Sequence, residues 1–149
     1  MTRELCHELY KHWTNDASIY MDMHLFQPYV YDEAAVNRYF DMKGQDVSRR
    51  LFAIMLGDKV IGELQLKQID HDKKECSLSI HMQNDAVKGR GYGTQAERLA
   101  VKTAFDELGM AAVNADTIRK NTRSQHVLGK VGFRFVKEDE TFKYYRIER

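Results

Sequence analysis

Gly89, Gly91 and Gly93 stand at alternate positions in the stretch DAVKGRGYGTQAERLA, with Lys88 and Arg90 between and before them. Glycines so spaced let a backbone turn tightly and approach a ligand closely. The stretch lies where a predicted strand hands over to a predicted helix. The first N–H groups of a helix have no partner within it and sit at the positive end of its dipole, so an anion, and a phosphate above all, is stabilised there. Lys88 and Arg90 add cationic charge at the same point. The spacing is neither the GxxxxGK[ST] of a phosphate-binding loop nor the GxGxxG of a dinucleotide fold with its acidic residue further on.

A second polar cluster lies about 30 residues further on, in Asn121-Thr122-Arg123-Ser124-Gln125-His126-Val127-Leu128-Gly129-Lys130-Val131-Gly132-Phe133. Asn121 has the chemistry of a helix N-cap, and Ser124 falls in the first turn that such a cap would start. His7 and His12 are five apart and do not share a helix face as a metal pair would, so no metal site is expected.

The elements that must position these groups follow from periodicity. Leu5, Leu9 and Trp13 at spacings of four predict a helix over Glu4 to Trp13, and Asp32 as N-cap opens a second one through Phe40, with Gly44 just past its end. LFAIML and VIGELQLKQI read as two strands joined by a turn at Gly57 and Asp58. In CSLSIHM, Leu78, Ile80 and Met82 alternate with Ser77, Ser79 and His81, the two-residue period of a half-covered strand. Gly93 to Leu108 is helical, with Gln95, Arg98, Lys102 and Asp106 as its polar stripe. AAVNADTI is a strand, Asn121 to Lys130 a short helix, and FRFVK with KYYRIE a closing hairpin. The order α-α-β-β-β-α-β-α-β-β predicts an α/β fold in one domain, residues 1–149: a mixed central sheet flanked by about four helices, with one parallel pair forced by the central crossover.

Lys88-Gly89-Arg90-Gly91-Tyr92-Gly93 resembles the (Gln/Arg)-x-x-Gly-x-(Gly/Ala) signature of the GNAT superfamily of N-acetyltransferases, and the Asn121 to Phe133 stretch resembles the N-x-x-S-x-x-x-L-x-K-x-G-F block of the same family. The likeness runs from Phe52 to Ile147 and is greatest to the ribosomal-protein N-terminal and polyamine acetyltransferases. It implies acetyl-CoA as co-substrate. Val87, Lys88, Gly89, Arg90, Gly91, Tyr92, Gly93 and Thr94 would hold its pyrophosphate. Backbone groups of Ile80, Met82 and Gln83 would meet the pantetheine arm, as would Asn121. Two departures stand out: Lys88 replaces the usual Gln or Arg, and only Met1 to Arg3 precede the first helix where the family has a strand, so the sheet is expected to lack that strand or to borrow it.

The implied reaction is attack of a neutral amine on a thioester, which requires a proton acceptor, an oxyanion donor and an acid for the leaving thiolate. By the resemblance Ser124 protonates the thiolate. Relatives often carry a glutamate near the start of the central strand; here Ser77 and Ser79 stand there, which leaves His81 or Glu63 as base, directly or through water. The plainer readings are a surface histidine for His81, a solvated strand residue for Glu63 and a helix-turn serine for Ser124. A route through Cys76 lacks a basic neighbour in sequence, so direct transfer in a ternary complex is expected. Tyr20, Phe26, Tyr29 and Tyr31 around Pro28 form either a cap on the core or the wall of an acceptor pocket. Asp22, Asp32, Glu33 and Asp70 to Asp72 are candidates for attracting a cationic acceptor.

The whole-chain numbers agree with such an enzyme. In 149 residues, 23 Lys and Arg face 22 Asp and Glu, so no general attraction to nucleic acid or membrane is expected. Cys6 and Cys76 form no ligand or disulfide pattern, and the charged opening MTRELCHELYK is no signal segment, so a cytoplasmic location is expected. The acceptor is a polyamine, another small amine or a protein N-terminus; the alternative function is a non-catalytic acyl-CoA-binding module of the same fold. An exposed sheet edge would favour a homodimer.

Overall fold

A computed structural model describes residues 1–19 and 23–149. Its elements are α1 (Arg3–Lys11), α2 (Glu33–Gln45), β1 (Arg50–Leu56), β2 (Lys59–Asp70), β3 (Glu75–Met82), α3 (Tyr92–Asp106), β4 (Ala112–Ile118), α4 (Thr122–Val131), β5 (Arg134–Glu138) and β6 (Phe142–Glu148). The six strands form one mixed sheet in the order β1-β2-β3-β4-β6-β5. The one parallel pair is β3 with β4, joined by the α3 crossover, and every other neighbour is antiparallel. The predicted mixed sheet with four helices is therefore the observed one.

Three boundaries differ from expectation by two residues or more. α1 stops at Lys11, leaving Trp13 beyond the helix, α3 ends at Asp106 short of Leu108, and Gly44 lies inside α2 instead of ending it. In α2 the Asp32 cap, whose carboxylate accepts from the Ala34 and Ala35 amides, and contacts with α1 outweigh the modest helix penalty of one glycine. Among the described residues no strand precedes α1, and β1 forms one edge of the sheet. The terminal ammonium of Met1 donates to the Leu51 carbonyl on β1 at 3.3 Å.

The sheet has two unlike faces. Leu64, Leu66, Leu78, Val113 and Ala115 pack with Ala100, Val101 and Ala104 of α3 and Leu128 of α4 in one apolar core. The opposite face of β2 presents Glu63 and Gln65 to α1 and α2, which are tied together by Arg3 with Asp41 at 2.5 Å and His7 with Asn37 at 2.8 Å.

Within the apolar layer, Glu97 on α3 is 1% exposed, and its Oε2 has no hydrogen-bond partner among the described residues. Burial pushes its carboxyl up to about 8, so at neutral pH it is held mainly protonated. In the unfolded chain it ionises near 4.5, so between that value and 8 the folded state binds more protons and stability falls as pH rises. Replacing Glu97 with Met is expected to remove that decline and to stabilise the protein by about 2 kcal/mol or more at pH 8, read as melting temperature across pH 5 to 9. A variant whose pH slope matched the parent's would assign the slope to other groups.

Candidate active site

At the start of α3 the chain turns through Gly89 (φ 71°) and Gly91 (φ 83°), the left-handed region that glycine adopts without strain. Gly91 is the N-cap of α3 and supplies no side-chain cap. The first bond of the helix runs from the Gln95 amide to the Gly91 carbonyl at 3.1 Å, so the amides of Tyr92, Gly93 and Thr94 precede it and point out of the helix end. A Cβ at Gly89 or Gly91 would meet no protein atom within 4 Å, so open space lies beside both. Val87 is buried in the core and anchors the loop from below, and Asn84 caps the short turn ahead of it by accepting from the Ala86 amide at 3.1 Å.

β3 and β4 run side by side only from Glu75 opposite Ala112 to Ser77 opposite Asn114. β3 continues to Met82 and β4 to Ile118, so the two strands part and a gap opens between their carboxyl ends. The Gln83 amide bonds the Ile61 carbonyl at 2.9 Å, in register with the β2–β3 ladder. Alternation along an antiparallel pair then gives the backbone groups of Ser79 and His81 to β2 and turns those of Leu78, Ile80 and Met82 toward the gap. The side chains of Ile80 and Met82 pack into the core under α3, so these two residues offer main chain only.

Ligands of parallel strands sit beyond their carboxyl ends, and here both α3 and α4 begin there. Asn121 caps α4, its side-chain oxygen accepting from the Ser124 amide at 3.1 Å. Ser124 is half-buried, and its hydroxyl has no hydrogen-bond partner among the described residues.

The other side of β3 carries titratable groups. Glu63 and His81 are opposite one another across β2 and β3, which places their Cβ atoms about 5 Å apart on one face. The close approach of the strands requires Gly62, because a Cβ there would come within 2.8 Å of the His81 carbonyl oxygen. Glu63 is 3% exposed and accepts from Tyr10 at 2.7 Å and from Tyr39 at 2.8 and 2.9 Å. It is a buried acceptor, and the solvated strand residue considered above is corrected: α1 and α2 cover it with phenols. Burial, then the Glu63 charge, pushes both phenols well above the ordinary tyrosine range, so they remain donors. Gln65 donates to the Tyr39 hydroxyl at 3.1 Å and accepts from Arg49.

His81 is exposed to solvent yet surrounded by protein on most sides, as a residue on the floor of an open recess is. Crowding by protein atoms holds its imidazole below the usual histidine range, with the Glu63 charge opposing and Lys67 and Lys88 assisting. The Trp13 ring meets it edge-on at 6.4 Å, and Tyr10 links Trp13 (4.9 Å) to Tyr29 (5.8 Å) and Tyr39 (5.6 Å). His81 thus stands beside a chain of aromatic rings that runs from Trp13 through Tyr10 to Tyr29 and Tyr39.

Several expected site residues have other tasks. Gln83 is buried, and its side-chain amide donates to the Leu9 carbonyl while its own carbonyl accepts from Thr14, so it joins α1 to β3 and does not line the gap. Arg90 donates through Nε to the Ala86 carbonyl at 3.0 Å and is otherwise exposed beside the glycines. Of the aromatic segment, Tyr29 reaches the recess through Tyr10, whereas the Tyr31 hydroxyl is bonded to His7 at 2.6 Å and fastens the segment to α1. Phe26 is half-buried. Tyr20 and Asp22 lie outside the described residues. Asp70 ends β2 and Asp72 sits in the turn before β3, at the end of that strand opposite to His81, and Asp32 caps α2. Cys76 is buried in the core, which pushes its thiol up to about 11 and makes it a poor nucleophile. Tyr10, Trp13 and Tyr39 were not legible as site residues; Trp13 showed only as part of the apolar stripe of the first helix.

Residues 1–134 match the family described as the acetyltransferase (GNAT) domain, and the chain belongs to that family. A curated relative, the probable N-acetyltransferase YjcK of Bacillus subtilis, is 34% identical over 76 residues. That match covers 51% of this chain and 42% of the relative, so the chain spans less than half the length of the curated relative it matches. Among solved structures, N-acetyltransferase PseH of Campylobacter jejuni in complex with acetyl coenzyme A superposes with a TM-score of 0.69 at 21% identity, over 78% of this chain and 79% of that one. A chimera of spermidine N-acetyltransferase SpeG from Vibrio cholerae and hSSAT superposes with a TM-score of 0.79 at 16% identity, over 99% of this chain and 92% of that one. At these identities the likeness is one of fold.

Proposed function

We propose that the chain transfers an acetyl group from acetyl-CoA to a primary amine by direct attack in a ternary complex. The observation that carries this reading is the parting of β3 from β4, which leaves a gap beside the glycine-capped start of α3, while His81 of β3 stays exposed with Glu63 buried opposite it on β2. The amides of Tyr92, Gly93 and Thr94, with Arg90 beside them, suit a diphosphate. The main chain of Ile80 and Met82 suits the amides of a pantetheine arm, and the Asn121 side chain stands at the far lip. Acetyl-CoA supplies the thioester carbonyl that the amine attacks.

The residues of the chain then divide the proton work. His81 is neutral at physiological pH and takes a proton from the incoming ammonium or from the attacking amine, while the Glu63 charge favours the imidazolium so formed. A gap-facing N–H of β3 holds the oxyanion, and the Ser124 hydroxyl gives its proton to the departing thiolate. The aromatic recess around Tyr10, Trp13 and Tyr29 supports a cationic acceptor, of the kind represented by small polyamines or a protein N-terminus.

Two features accompany this reading. β1 has a strand neighbour on one side only, so a second copy pairing along that edge would complete the sheet. Buried free Cys6 and Cys76 suit a reducing cytoplasm, and among the described residues no helix is long and apolar enough to cross a membrane.

Thiol release from acetyl-CoA, measured against a panel of polyamines, amino sugars, amino acids and peptides, tests the reading. Release with at least one amine is expected. Binding of CoA without release for any amine would instead support the non-catalytic module, and failure to bind CoA would remove both.

A further inference from the structure

Lys88 opens the cradle sequence and by resemblance would reach for the diphosphate, but its ammonium is already engaged. It lies 2.9 Å from the Asp16 carboxylate and 3.2 Å from that of Asp85, and its side chain is only 14% exposed. Asp16 is organised to receive it: its other oxygen accepts from the Ser18 amide at 2.9 Å and the Ser18 hydroxyl at 2.6 Å. Drawing the ammonium away to a phosphate would strip Asp16 of its counterion and bring an anion toward Asp85.

The contact also closes a seam. The Thr14 amide donates to the Gln83 carbonyl at 3.0 Å, the Asn84 amide side chain reaches the His12 carbonyl at 3.4 Å, and Gln83 reaches Leu9. These bonds lay the chain after α1 along the connection between β3 and α3. Lys88 with Asp16 is the outermost tie, and Trp13, between the ties, forms part of the recess with Tyr10 and His81.

We propose that Lys88 is a positioning residue of the acceptor side: by clasping Asp16 it fastens the Trp13–Asp16 end of the seam to the cradle loop, and the diphosphate is left to the amides of α3 and to Arg90. The proposal rests on the acetyl-CoA reading above for the word acceptor, but the clasp can be tested apart from it. Trp13 is the sole tryptophan, so its fluorescence reports on the seam alone.

The experiment combines calorimetry with CoA and acrylamide quenching of Trp13 in the parent, Lys88→Met, Asp16→Asn and Lys88→Arg. The clasp predicts that Lys88→Met binds CoA within about threefold of the parent, and that Trp13 quenching rises in Lys88→Met and Asp16→Asn alike. Lys88→Arg, which can pair with both carboxylates, is expected to keep the parent's quenching. A loss of CoA affinity of about tenfold or more in Lys88→Met would make Lys88 a phosphate ligand and overturn the proposal. Unchanged quenching in both charge-removing variants would overturn it as well. If the parent takes up no CoA, the acetyl-CoA reading falls, and the quenching series still decides the clasp.

Discussion

Gly91→Val is expected to weaken CoA binding by about a hundredfold or more, close to 3 kcal/mol, while leaving a folded protein. Two effects add. The left-handed φ of 83° at this N-cap strains any residue with a Cβ, by about 1–2 kcal/mol, and a branched one most. The open space beside Gly91, where a Cβ meets no protein atom within 4 Å, is where a phosphate must come to reach the α3 amides. Calorimetry with CoA and a thermal melt separate binding from stability. Gly44→Ala is the matching control: inside α2, with nothing within 4 Å of the new methyl, it is expected to be neutral or to stabilise by about 0.5–1 kcal/mol without changing CoA affinity. Parent-like affinity in Gly91→Val would show that the helix start is no anion cradle.

The second large effect is expected at His81. Removing a general base reduces turnover by about 10²–10⁴-fold, so His81→Ala is expected to lose kcat/KM on that scale while retaining CoA affinity. The pH dependence carries the more specific signature. Crowding by protein atoms holds the imidazole below its ordinary 6.5, so the neutral, proton-accepting form dominates from below that value upward. The acid limb of kcat/KM is therefore expected below pH 6.5, rising with pH to a plateau, and His81→Ala should lack that limb. If the limb persisted in the variant, another group would be the base. Glu63 is the natural next candidate, but its carboxylate is already engaged by the Tyr10 and Tyr39 hydroxyls.

Local pattern was sufficient for much of the architecture. The two-residue alternation from Ser77 to Met82 marked β3, the strand-helix-strand order required a parallel neighbour, and the glycines at 89, 91 and 93 marked the helix start whose amides face outward. These features depend on neighbours in sequence, because strand alternation and helix-end geometry are set by residues only a few positions apart. The placement of Gly44 failed for the converse reason: a cap and tertiary contacts outweighed the residue's own propensity.

The charges of the site followed a different logic. Glu63 read as a candidate base or a solvated strand residue, and Lys88 as a phosphate ligand by its place in the family signature. In the structure Tyr10 and Tyr39 converge on Glu63 from two helices, 53 and 24 residues away in sequence, and Asp16 meets Lys88 across 72 residues. Whether a carboxylate or ammonium is solvated or paired depends on which elements pack over it, and that is determined only when the sheet brings distant segments together. The sequence by itself determined the family signature, the sheet's single parallel step and the glycine-marked start of α3. Only the tertiary structure decided which charged groups stay open to solvent and which are already held by the protein, because that depends on which distant segments pack over them.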